Sequence, residues 1–156
     1  MVNKKIEVYI GENNEIFKGF YSPSDYNISN ELEEYLMDRV SFTKRNDDID
    51  IEIKFNYSSD KEVLKRAIKN TFNKKIEEEN HIIKKNNIIC LAAFILGIII
   101  GALVYIFSNI NISISQLLSI VCWVFIWYGV ETYFFENREL KVNVKRYKQI
   151  LNSNIY

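Results

Sequence analysis

A chain of 156 residues is about one domain's worth, so any second unit must be small or must be a membrane segment. Lys+Arg and Asp+Glu each count 20, and the formal net charge of zero gives no electrostatic reason to expect a nucleic-acid polymer as partner. One Pro and five Gly exclude collagen-like and proline-rich classes, while the 45 residues Asn86 to Val130 contain no Asp, Glu, Lys, Arg or His, the signature of a membrane protein.

Residues 1–57 carry 7 basic and 12 acidic side chains, a net of −5, and predict a small cytoplasmic α+β head. Ile6, Val8 and Ile10 alternate with Lys5, Glu7 and Tyr9, the period of a half-buried strand. Gly11-Glu12-Asn13-Asn14 supplies turn chemistry before a second expected strand, Glu15 to Tyr21, so the two read as a hairpin that Ser22-Pro23-Ser24-Asp25 interrupts. Asn30 with Glu33 resembles a capping box, and Leu32, Tyr35, Leu36, Arg39 and Val40 place an apolar stripe on a helix ending near Phe42. Ile49, Ile51, Ile53 and Phe55 alternate again and predict a third strand. The order β-β-α-β resembles the opening of a β-grasp, ubiquitin-like domain, and it also fits other small α+β heads. Such heads bind through an exposed sheet face or edge.

Ser59 and Glu62 form a second capping box, and no Gly or Pro occurs from Asp60 to Leu96. A helix begun at Asp60 can therefore run without a break into the first span, and if continuous to Phe107 it would measure about 72 Å. Its apolar stripe, Val63, Leu64, Ala67, Ile68, Thr71, Phe72 and Ile76, predicts a stalk over residues 58–87. Lys61, Lys65, Arg66 and Lys69 give that helix a basic face, which a small anionic ligand such as a nucleotide signal would suit if ion pairs with the acidic head do not already use it. His81, the only histidine, is expected to be an exposed stalk residue and a poor metal site.

Ile88 to Phe107 is long enough to span a hydrocarbon core of about 30 Å, and a second span is expected over residues 114–135. The short polar link Ser108 to Ser113 makes the pair a helical hairpin. Lys84 and Lys85 precede it, Arg138, Lys141, Lys145, Arg146 and Lys148 follow it, and its loop has no basic residue. Both termini are therefore expected on the cytoplasmic side of a bacterial inner membrane. Cys90 and Cys122 read as small packing residues without a disulfide. Ala93, Gly97 and Gly101 form a small-residue ridge that suits either contact between chains or packing within the hairpin. Residues 136–156 predict a C-terminal cytoplasmic helix whose stripe, Leu140, Val144, Tyr147 and Leu151, pairs with the stalk in coiled-coil fashion.

Trp123, Trp127, Glu131 and Phe135 recur at four-residue spacing on the second span. This W-x(3)-W-x(3)-E-x(3)-F pattern, with the basic helix after it, resembles small uncharacterised bacterial two-span membrane proteins. The two-span plan with a cytosolic head is also similar to membrane effectors of antiphage (antiviral) defence, and that resemblance implies a ligand-triggered oligomer that breaches the membrane. A carboxylate in a span is costly. Glu131 lies near the cytoplasmic boundary, where it reaches water or pairs with Arg138, Lys84 or Lys85; in an oligomer a Glu131 ring would favour cations at the mouth of an ion channel. No nucleophile–base pair, phosphate loop or cofactor motif is present, so an enzyme is not expected. Two functions remain: an oligomeric pore or membrane-perturbing effector whose head senses a ligand or partner, and a passive anchor or scaffold that recruits a cytoplasmic protein.

Overall fold

The computed structural model describes residues 4–11, 16–18, 26–44, 47–55 and 61–156. The elements run β1 (Lys4–Ile10), α1 (Asn30–Ser41), β2 (Ile49–Phe55), α2 (Lys61–Ser108), α3 (Ile112–Glu131), a π-helical turn (Thr132–Glu136), α4 (Asn137–Leu151) and β3 (Asn154–Ile155). They form two units, a head of residues 1–78 and 142–156 and a helical hairpin of residues 79–141.

The head is α+β. Ile6, Val8 and Ile10 of β1 and Ile49, Ile51 and Ile53 of β2 are buried on one sheet face, as their alternation requires. Leu36 and Val40 of α1 pack on that face. The N-cap of α1 is Ser29, one residue before the expected Asn30, and its hydroxyl accepts the Leu32 N–H at 3.3 Å. Glu31 and Glu33 in the first turn suit the positive end of the helix dipole.

Two sequence expectations give way here. β1 pairs in parallel with β2, from Lys4 opposite Ile49 to Ile10 opposite Phe55, in a sheet ordered β1-β2-β3. The turn at residues 12–14, most of the expected Glu15–Tyr21 strand, the break at residues 22–25 and the Ser59 cap lie outside the described residues. The part that is described, Ile16 to Lys18, makes a single antiparallel bridge, Phe17 to Ile28, and no ladder with β1. The C-terminal helix, expected to reach residue 156, stops at Leu151. A turn closed by Ser153 N–H to the Ile150 carbonyl leads into β3, which adds to the open edge of β2 through Tyr156 N–H to Ile51 O and Ile53 N–H to Tyr156 O, at 3.1 and 2.9 Å. Backbone pairing with a pre-existing edge stabilises this two-residue strand, so it needs no apolar alternation of its own.

The stripe read as a stalk is core. Leu64, Ala67, Ile68 and Phe72 of α2 share one buried cluster with the sheet, and so do Tyr147 and Ile150 of α4. The rings of Phe72 and Tyr147 lie 5.6 Å apart. From α4, Arg146 donates to the Thr43 carbonyl at 2.8 Å and the Ser41 carbonyl at 3.1 Å, while the Gln149 amide donates to the Lys44 and Asp47 carbonyls at 2.9 and 2.8 Å. These bonds satisfy backbone acceptors that the end of α1 and its following turn leave open. The head is thus assembled from chain on both sides of the hairpin.

In the hairpin, Asn111 caps α3 by accepting the Ser113 and Ile114 N–H groups. Lys61–Ser108 and Ile112–Leu151 are each long and apolar enough to cross a membrane, and only 17% and 11% of their most apolar windows are buried. A core helix of a soluble domain is mostly covered by its own chain; these are not.

Candidate functional site

The head opens a cavity of about 910 Å³ between the carboxyl end of β1 and the first turn of α1, lined by Ile10, Phe17, Lys18, Asn30, Leu32 and Tyr35 among others. The parallel βαβ arrangement creates this place, because strand ends and helix starts meet at one edge of such a unit. Phe17 is fixed by stacking on Tyr26 at 4.8 Å. The Lys18 ammonium stands 3.7 Å from Glu33, which also pairs with Lys75 at 3.0 Å. The hydrogen bond to Glu33 raises the Lys75 pKa, so two cations share one carboxylate beside the opening. The lining thus combines aromatic faces with the Lys18 ammonium, which Glu33 pairs, and the Glu31 carboxylate in the first turn of α1.

Sequence reasoning missed this cavity. Phe17 and Lys18 read as strand residues, and the carboxyl end of β1 becomes a cleft only through parallel pairing. The basic residues proposed instead, Lys61, Lys65, Arg66 and Lys69, lie on α2; all but the half-buried Lys65 are exposed, and none lines the cavity.

The outer face of the sheet is a charge lattice. Lys5 pairs with Glu52 at 3.0 Å, and Lys54 bridges Glu7 and Glu52 at 3.3 and 3.2 Å while donating to the Tyr9 hydroxyl at 3.1 Å. Hydrogen bonding from Lys5, then from Lys54, holds the Glu52 carboxyl below its usual range. The bond to Glu52 raises Lys5, and the bonds to Tyr9 and then Glu52 raise Lys54. Parallel sheets are usually covered on both faces, and this self-neutralised lattice lets one face meet water.

In the hairpin, Ala93, Gly97 and Gly101 face α3 of the same chain. Ala93 and Gly97 are buried, a Cβ on Gly97 would fall 2.9 Å from Ile126 Cγ1, and one on Gly101 would meet Cys122 Sγ at 3.7 Å. The helices are laced at seven-residue intervals. The Cys90 thiol donates to the Gly129 carbonyl at 3.1 Å, the Cys122 thiol to Gly97 at 3.2 Å and the Ser115 hydroxyl to Val104 at 3.2 Å. Small residues bring the backbones close enough for these weak donors to reach across. Gly129, whose added Cβ would meet the Phe94 ring at 3.2 Å, is the counterpart of the ridge on α3.

Trp123, Trp127, Glu131 and Phe135 fall on the opposite, outward face, where Trp123 is 64% and Trp127 56% exposed. Within this chain the face that carries the stripe is uncovered. Trp123, Val124, Trp127, Tyr128 and Glu131 line a shallow groove of about 340 Å³. At the open end, Asn137 donates to Asn87 at 2.9 Å and Asn86 to Glu136 at 3.3 Å. The buried Thr132 Oγ1 and Asn137 Oδ1 have no partner among the described residues. Among those residues no group of three or more His, Cys, Asp or Glu is placed to hold a metal.

No protein-family model matches the chain, and neither a curated protein nor a solved structure matches it.

Proposed function

We propose that this chain is a receptor bound in a bacterial inner membrane, with both termini cytoplasmic, whose head takes a small anionic ligand or a partner and whose hairpin, in an oligomer, is the membrane-perturbing or pore-forming output. One observation carries the reading: the two helices that close the head core, α2 and α4, continue into the two apolar spans. A passive tether needs one helix leaving a finished domain. Here any rearrangement around Phe72 or Tyr147 acts on both spans, because packed helices shift as units. Flanks that share a hydrophobic core also lie on one side of a bilayer, in accord with the basic residues bordering the spans.

The passive anchor or scaffold is favoured by the ridge, since Gly97 and Gly101 already face α3 and are not left over to join chains. The two tryptophans, both in α3, are reporters that separate these readings. In reconstituted vesicles, loosening the head with Ile150→Ala, a fully buried position, should shift tryptophan emission and alter release of a trapped dye. If the variant head is measurably less stable while emission and release match wild type, the protein is an anchor.

A further inference from the structure

We propose that the α3 groove binds a membrane phospholipid carrying a primary ammonium headgroup, with Glu131 as counter-ion and Trp127 and Tyr128 around the cation. Glu131 makes no ion pair or hydrogen bond among the described residues and stands at one end of a groove otherwise lined by Trp123, Val124, Trp127 and Tyr128. In a bilayer this face meets lipid, where an unpaired carboxylate is costly. From Glu131 to Trp123 the groove runs about 12 Å along the helix, acid at the headgroup level and aromatic toward the chains. Its polarity matches a lipid with a positive head. Indole and phenol faces attract cations, and a carboxylate accepts charge-assisted N–H bonds that ethanolamine offers and choline does not. The inference rests on the hairpin being in the membrane, and not on whether the head signals.

Both tryptophans line the groove, so bound lipid is read directly. Full-length protein is reconstituted into bilayers containing, at equal mole fraction, brominated-chain phosphatidylethanolamine, phosphatidylcholine or phosphatidylglycerol, and tryptophan quenching gives relative binding. Vesicle flotation measures insertion separately. The expected result is about threefold to fivefold preference for the ethanolamine lipid, the range of an interfacial ion pair, abolished in Glu131→Gln. Equal quenching by all three lipids overturns the proposal, as does a preference that survives Glu131→Gln. Protein that floats with vesicles but is quenched by none of them has a second copy or its own segment over the groove, which also overturns it. Failure to float defeats the membrane reading itself.

Discussion

The two glycines of the α2 ridge should respond oppositely to alanine. At Gly101 the new methyl meets only Cys122 Sγ at 3.7 Å, an ordinary contact, so the helix-propensity advantage of alanine, about 0.8–1 kcal/mol, stabilises the hairpin by roughly 0.5–1 kcal/mol. At Gly97 the same gain is opposed by a Cβ placed 2.9 Å from Ile126 Cγ1 and 3.6 Å from Cδ1. Cγ1 is held by the branch at Cβ and cannot swing away as a chain end could, so the helices must part. Overpacking of this kind costs about 1–3 kcal/mol, and parting stretches the Cys122 thiol bond to the Gly97 carbonyl, leaving a net loss of about 0–2 kcal/mol. Reversible unfolding in mixed micelles of mild detergent and dodecyl sulfate, followed by tryptophan emission, measures both changes. The variants should differ by about 1–3 kcal/mol with Gly97→Ala the weaker. Equal effects, or greater loss at Gly101, would refute an intrachain role for the ridge.

Gln149→Leu removes three donor contacts to the turn after α1, strands the Asp47 carbonyl and leaves the Lys44 carbonyl with the Asp47 N–H alone, which should destabilise the head by about 1–3 kcal/mol in chemical denaturation followed by hydrogen exchange in β2. Thr132→Val deletes a buried hydroxyl without a partner among the described residues, so the hairpin should be unchanged or slightly more stable; a loss above about 1 kcal/mol would reveal a bound water. Glu52 has a lowered folded pKa, so its contribution is complete above its ordinary value of 4.5 and fades as pH falls through the folded value. Lys5 and Lys54 are raised, so theirs is complete below 10.5 and fades as pH climbs through the folded values. Thermal scans should show a plateau between these limits, and Glu52→Gln should flatten the acid limb; an unchanged limb would discharge Glu52 of that role.

The parts legible in the sequence are those governed by local periodicity. β1, β2 and α1 follow from alternation and a 3.6-residue stripe, and the first part of the 48-residue α2 from the Gly- and Pro-free interval that ends at Leu96. Partners were not legible. Alternation in β1 says which side chains are buried and nothing about whether the neighbouring strand is parallel, so the cleft at Phe17 and Lys18 could not be foreseen. An apolar stripe at Leu64 to Phe72 reads alike whether it meets another stalk helix or a sheet. β3 has no compositional signal because it depends on a vacant strand edge, and nothing in the composition of Thr132 to Glu136 marks the π-helical turn.

The return of the chain to complete the head sets an order of biogenesis. Asn154 bonds to Asp50 across a separation of 104 residues, and everything between them must be synthesised before β2 gains its third neighbour. At about 5–20 residues per second that interval is roughly 5–20 s, during which β2 offers an unpaired edge and Leu36, Val40 and Phe72 lack the side chains of Tyr147 and Ile150. On the proposed membrane placement, insertion of the hairpin falls within that window, and the bilayer would receive its segment from a nascent chain whose head is still incomplete. The half-built sheet is the stage at which a holding chaperone has most to protect.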